Sequence, residues 1–193
     1  DVQTGQLVKR FTRHSNQVWD LRFHPEGNLL ATASTDCSIK LWNIGRGVLA
    51  ATLGDHTDQV NSVDFSPDGK RLASGSLDQT VIIWEVATYK AIRVLRHPTG
   101  AILSVRFSPD GRYLATGNSD GTVGLWSVST GEPIDTLKGH TQSILSVQFD
   151  PSSKILASGS ADSTAKLWEI STGQLLKTLR HNNWLWSDRK SVV

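Results

Sequence analysis

Apolar and polar positions along this chain fall into short runs of four to six residues separated by turn residues, and no 3.6-residue helical period appears. The stretch Val18-Trp19-Asp20-Leu21-Arg22-Phe23 alternates as a half-buried strand does. It runs into His24-Pro25-Glu26-Gly27, with Pro second and Gly fourth as a type I turn favours. Leu29 to Ser34 then reads as a second strand, Thr35-Asp36-Cys37 as a turn and Ile39 to Trp42 as a third strand. Ile44-Gly45-Arg46-Gly47 turns the chain into a fourth, Val48 to Leu53. Ahead of this unit, Gln6 to Phe11 reads as an orphan strand. Val81-Ile82-Ile83-Trp84 is apolar on successive residues, which requires both faces of its strand to be covered, as in stacked sheets.

The unit repeats. Trp42, Trp84, Trp126 and Trp168 step by 42 residues, as do Asp36, Asp78, Asp120 and Asp162. His14, His56, His97, His140 and His181 step by 42, 41, 43 and 41, a one-residue wobble that follows loop length. The later copies turn first at Ser66-Pro67-Asp68-Gly69, Ser108-Pro109-Asp110-Gly111 and the degraded Asp150-Pro151-Ser152-Ser153. Each copy also places a hydroxyl two residues after the leucine of its second strand: Thr32, Ser74, Thr116 and Ser158. A four-stranded sheet of this kind hides both faces only against its neighbours, and radial stacking is a solution with a known signature.

In its His, Ser-Pro-Asp-Gly, Leu-Ala-Ser-Gly-Ser, Asp and Trp pattern the chain resembles the WD-repeat β-propeller family over roughly residues 6 to 186. It departs at the second signature letter (Asn43, Glu85, Ser127, Glu169) and keeps the Gly before the histidine only at Gly139. The resemblance implies an all-β partial propeller of four four-stranded blades, an open ring unless it self-associates. Its expected divisions are an orphan outer strand of a preceding blade at 1-13, blades at 14-54, 55-96, 97-138 and 139-180, and the start of an incomplete fifth blade with a tail at 181-193. Closed rings of the family usually have seven or eight blades, so a segment of a longer protein is expected. The alternative is a homodimer of two half-rings completing eight blades.

Composition narrows the function. Hydrophobic residues make up 38% and charged residues 20%, with 20 Lys and Arg against 18 Asp and Glu, so there is no large basic field and nucleic acid is not the expected partner. The one cysteine, Cys37, excludes an intrachain disulfide and points to a reduced, intracellular setting, cytoplasmic or nuclear. No run reaches the roughly 18 apolar residues of a membrane span, so no membrane partner is expected.

Ser74, His56 and Asp78 have the residue types of a hydrolase triad. Catalysis needs one such set in a cleft, however, and the chain carries four near-equivalent sets, each with a tryptophan whose indole N–H suits the hydroxyl. The resemblance implies a structural tetrad running from indole to hydroxyl to imidazole to carboxylate: Trp42, Thr32, His14, Asp36; Trp84, Ser74, His56, Asp78; Trp126, Thr116, His97, Asp120; Trp168, Ser158, His140, Asp162. No catalytic residue is assigned. One histidine per repeat does not cluster as metal ligands do, Cys37 has no CxxC partner, and Gly75, Gly117 and Gly159 lie in strands, so neither metal nor cofactor is expected.

The resemblance further implies that proteins or peptides dock on the narrow face, where residues differ from copy to copy. The candidates just past the first-strand bulge are Trp19, Asn61, Leu103, Leu145 and Trp186. Gln17 and Gln59 lie two residues earlier, with Ala101 and Ser143 in the later copies, and Leu77, like Thr35, Ser119 and Ala161, precedes the turn aspartate. A few aromatic or aliphatic anchors with a polar rim are what a docking patch requires; the alternative is that Trp19 and Leu103 merely close the channel. The expected function is therefore a non-catalytic interaction scaffold. An RNA-binding or ribonucleoprotein-assembly subunit is the second reading, and it needs Arg22, Lys40 and Arg106 to converge on one face.

Overall fold

A hairpin closes where the chain can reverse on one bond, and each copy supplies the residues for it. In the first turns Gly27, Gly69, Gly111 and Ser153 donate their N–H to His24, Ser66, Ser108 and Asp150 O at 2.7 to 3.0 Å. All four take positive φ, 60° to 72°. The structure, a computed structural model, describes residues 3–180. Within them sixteen strands form four antiparallel four-stranded sheets, each with its strands in chain order. Blade 1 comprises β1 (Val18–Phe23), β2 (Leu29–Ser34), β3 (Ile39–Asn43) and β4 (Val48–Leu53). Blade 2 comprises β5 (Val60–Phe65), β6 (Arg71–Ser76), β7 (Thr80–Glu85) and β8 (Lys90–Arg96). Blade 3 has β9 (Ile102–Phe107), β10 (Tyr113–Asn118), β11 (Val123–Ser127) and β12 (Pro133–Leu137), and blade 4 has β13 (Ile144–Phe149), β14 (Ile155–Ser160), β15 (Thr164–Glu169) and β16 (Leu175–Arg180). The innermost strands β1, β5, β9 and β13 stand side by side in that order, giving an open partial propeller.

The core lies between blades. Ala31, Ile39, Leu41 and Leu53 of blade 1 meet Val63, Phe65, Leu72 and Trp84 of blade 2, and the 2/3 and 3/4 junctions repeat the arrangement. Each such side chain removed from water contributes about 1.5–3 kcal/mol, which explains why Val81 to Trp84 of β7, covered on both faces, are apolar on successive residues. Size is matched across the junctions. A Cβ at Gly75 would lie 2.5 Å from Ile102 Cγ2 and one at Gly117 2.7 Å from Ile144 Cγ2, whereas blade 1 carries Ala33 in that place and blade 2 answers with the shorter Val60.

One expectation needs correction. Gln6 to Phe11 forms no strand, because among the described residues no strand lies alongside to complete a ladder. Phe11 instead places its ring 4.8 Å from that of Trp42, and Lys9 lies over the β3–β4 turn at Gly47. On the same side of blade 1, Val18, Leu21 and Phe23 are 46–60% exposed, while their counterparts Val60, Val63 and Phe65 in blade 2 are 0–6% exposed.

Candidate functional site

Two sets of residues recur from blade to blade, a buried polar one and an open variable one. In blade 2 the Trp84 indole N–H donates to Ser74 Oγ at 2.8 Å, His56 Nε2 lies 2.8 Å from the same hydroxyl and His56 Nδ1 lies 2.8 Å from Asp78 Oδ2. Blade 4 repeats this at 2.8 Å throughout with Trp168, Ser158, His140 and Asp162. Blade 1 does so at 2.9, 2.8 and 2.8 Å with Trp42, Thr32, His14 and Asp36. Burial pushes His56 and His140 down, keeping the imidazoles neutral. Burial alone would raise Asp78 and Asp162, but bonds from Thr80 or Thr164, from the imidazole and from the Thr57 or Thr141 N–H hold both carboxyls down, Asp162 at about 2. The neutral ring therefore donates from Nδ1 to the carboxylate and accepts the hydroxyl proton at Nε2. Ser74 is 0% and Ser158 1% exposed, so neither oxygen meets a substrate as a nucleophile would have to.

Blade 3 does not close its tetrad, a correction to the four equivalent sets expected. His97 Nε2 faces Asn118 Nδ2 at 3.0 Å instead of Thr116, Nδ1 is 3.9 Å from Asp120 Oδ2, and the Trp126 bond to Thr116 is stretched to 3.3 Å. His97 Nδ1 and Asn118 Oδ1 are buried and unbonded. Three sequence features explain it. His97 stands ten residues before Phe107, where His56 stands nine before Phe65. Pro98 follows His97 and has no N–H, whereas the Thr57 N–H donates to Asp78 Oδ2 at 3.0 Å. Asn118 replaces a serine, and the Thr99 hydroxyl takes Asp120 Oδ2 at 2.6 Å.

The variable set is presented by a bulge. Register slips in the first strand of every blade, between Val18 and Asp20, Val60 and Ser62, Ile102 and Ser104, and Ile144 and Ser146, leaving Trp19, Asn61, Leu103 and Leu145 out of the ladder. These four, with Gln59 and Leu77, line a cleft of about 620 Å³ at the inner edge of the blades. Trp19 is 49% exposed. Its indole N–H donates to Thr35 Oγ1 at 2.7 Å, the Thr35 hydroxyl donates to Gln59 Oε1 at 3.2 Å, the Gln59 amide to Asn61 Oδ1 at 2.6 Å and the Asn61 amide to Ile102 O at 2.9 Å. This chain of bonds crosses from blade 1 to blade 3. Gln17 is exposed and outside the cleft lining, its carbonyl accepting the Thr35 N–H at 2.9 Å. Trp186 and His181 lie outside the described residues.

In the wall of the cleft, which Asp20, Ser62 and Arg106 also line, sequence reasoning missed a charge network. Arg22 reaches Asp20 at 3.0 Å and Asp64 at 3.4 Å, and Arg106 approaches Asp20 at 3.5 Å. The Ser62 hydroxyl donates to Asp20 at 2.9 Å, and the Phe107 N–H donates to Asp64 at 2.8 Å. Burial pushes Asp64 up to about 6 against the Phe107 bond and the Arg22 charge. The signal was available: Arg22, Asp64 and Arg106 occupy one repeat position with alternating sign. Lys40 is buried, its Nζ 3.4 Å from Ser38 Oγ. Of the three cations named for an RNA surface, Lys40 is buried, while Arg22 and Arg106 are partly buried and paired with Asp20 or Asp64. Also unforeseen is His24, which is buried and bonds Gly69 O of the next blade at 3.0 Å. Cys37 is half-buried at φ 63°, and burial pushes its thiol up, as suits a passive side chain. Among the described residues no three His, Cys, Asp or Glu side chains gather as a metal site.

A family model described as the echinoderm microtubule-associated protein second β-propeller matches residues 5–193. Human WD repeat-containing protein 36 is 39% identical over 49 residues, 25% of this chain and 6% of that protein. Superkiller complex protein 8 of Dictyostelium discoideum is 46% identical over 39 residues, 20% of this chain and 13% of that protein. The POC1 centriolar protein homolog of Drosophila melanogaster is 45% identical over 40 residues, 21% of this chain and 10% of that protein. The chain thus spans 13% or less of the length of these relatives, and each match is about one 42-residue repeat long.

Proposed function

This chain belongs to the WD-repeat β-propeller family, within the group represented by the second propeller of echinoderm microtubule-associated proteins, and from that premise we propose that it is a non-catalytic scaffold docking protein or peptide partners on its narrow face. The observation that carries the reading is the cleft lined by Trp19, Asn61, Leu77, Leu103 and Leu145, in which every bulge residue but one is apolar and the rim is already hydrogen-bonded. An exposed indole beside leucines is the kind of anchor that carries most of the energy of an interface, with polar groups excluding water around it. The buried tetrads brace the blades. The second reading, RNA or ribonucleoprotein assembly, loses its support because Arg22 and Arg106 are paired and Lys40 is covered.

A photo-crosslinking residue in place of Leu103 should capture a partner that the same residue in place of Lys70, on the opposite face, does not. Trp19→Ala should weaken that partner by about tenfold or more while the melting temperature is unchanged. Unaltered affinity in the folded variant refutes the reading. Two further proposals accompany it: an intracellular site of action, and an end-to-end pairing of two copies into eight blades, for which light scattering would give twice the mass of the 193-residue chain.

A further inference from the structure

At the end of the blades that carries the β9–β10 and β11–β12 turns, where blades 2 and 3 meet, a hollow of about 370 Å³ is lined by Arg71, Arg112, Tyr113, Ser127, Ser129 and Ile134. Its volume falls in the range of roughly 300–1,000 Å³ common to ligand pockets. Two guanidiniums face it. Arg71 is fixed across the junction by one bond, Nη1 to Val128 O at 3.0 Å, which leaves its other donors unbonded. Arg112 extends over the Tyr113 ring at 6.0 Å with no side-chain hydrogen bond. Among the described residues neither cation has a carboxylate within ion-pair distance. The nearby Asp110 is occupied by the Ser108 hydroxyl and the Arg112 N–H.

The other junctions lack this arrangement. The residue after the tryptophan is Glu85 in blade 2 and Glu169 in blade 4, but Ser127 in blade 3, where its hydroxyl lies 3.1 Å from that of Ser129. In the ladders, Arg71 is opposite Glu85, whereas Tyr113 is opposite Ser127. At the 1/2 junction Leu29 stands where Arg71 stands, and at the 3/4 junction Tyr113 does. Among the described junctions, only that of blades 2 and 3 combines two arginines with Ser127 where blades 2 and 4 carry Glu85 and Glu169, Arg71 keeping Glu85 opposite it in its own ladder.

We propose that this hollow binds a phosphate monoester carried by a partner peptide. Planar guanidiniums pair two N–H donors with two phosphate oxygens, hydroxyls supply further donors, and Tyr113 and Ile134 offer apolar surface to the flanking chain. The site lies on the face opposite the narrow-face cleft and stands independently of it.

The test uses the full 193-residue chain and ¹⁵N NMR, with phenyl phosphate and a degenerate peptide pool bearing a central phosphoserine as probes. Amides of residues 111–113 and 127–130 should shift saturably with both probes and not with the unphosphorylated pool. Arg71→Gln with Arg112→Gln, and separately Ser127→Glu, should weaken the phosphopeptide pool by about tenfold or more at unchanged melting temperature. Failure of both phosphate probes to shift these amides, or equal responses in the folded variants, overturns the proposal. So does a stronger response of the same amides to anionic vesicles or to an oligonucleotide than to the phosphopeptide pool.

Discussion

Blades 2 and 3 share a strand plan and an inter-blade core, yet one closes its polar chain from indole to carboxylate and the other leaves two buried atoms unbonded. The difference traces to one extra residue before Phe107, a proline where an N–H is needed and an asparagine where a serine serves elsewhere. It teaches that the apolar junctions suffice to form a blade, while the polar chain fixes how firmly the loop between blades is held. An unbonded buried polar atom costs on the order of 1–3 kcal/mol, so the His97 loop of blade 3 should open locally before the His56 loop of blade 2.

The largest break in the comparison comes from the shared hydroxyl. Ser74→Ala strands the Trp84 indole and the His56 ring together and should cost about 2–4 kcal/mol, against about 1–2 kcal/mol for Thr116→Val, which strands one stretched bond. Urea midpoints at constant slope measure both. Next, Asp78→Ala should cost about 2 kcal/mol and Asp120→Ala about 1 kcal/mol or less, because Asp120 is the less buried of the two and water can take the place of its carboxylate as partner of the Thr99 and Thr122 hydroxyls. Equal losses in blades 2 and 3 would show that the closed geometry contributes nothing.

The comparison sharpens if blade 3 is repaired. Deleting Pro98 with Asn118→Ser restores the 22-residue interval from histidine to aspartate found in blades 1, 2 and 4 and should stabilise by about 1 kcal/mol. Slower amide exchange in the His97 loop would accompany it. The smallest effect is with pH. Folding depresses His56, His97 and His140 below 6.5, so the unfolded chain binds more protons and stability falls as pH drops below about 6.5. Asp64, raised by burial to about 6 from 3.8, acts in the opposite sense, since its folded form takes up the proton first. Asp64→Asn should therefore steepen the loss of stability between about pH 6 and 4, as melts across that window would read.

Much of this was legible in the sequence because a 42-residue step with Pro-Asp-Gly turns leaves one chain path, and the strands of blade 1 from Val18 to Leu53 lie where alternation puts them. The bulge residues were also readable as a set, since alignment on the histidine and phenylalanine places Trp19, Asn61, Leu103 and Leu145 together. The 41- and 43-residue histidine steps flank His97, yet a spacing does not reveal which donor reaches Asp120 when the loop lengthens. Gln6 to Phe11 shows the converse limit: strand propensity is local, but a ladder needs a neighbour, and Phe11 found a ring instead. The Arg22–Asp64 pairing joins adjacent blades and is visible only when corresponding positions are read across copies.

The linked side chains from Trp19 to Asn61 have a thermodynamic corollary for whatever settles against them. Their rotamers are restrained before contact, so association forfeits less motional freedom than it would on a loose surface. Substituting Thr35 with valine would set that indole swinging and should appear as a less favourable binding entropy, with contact area preserved.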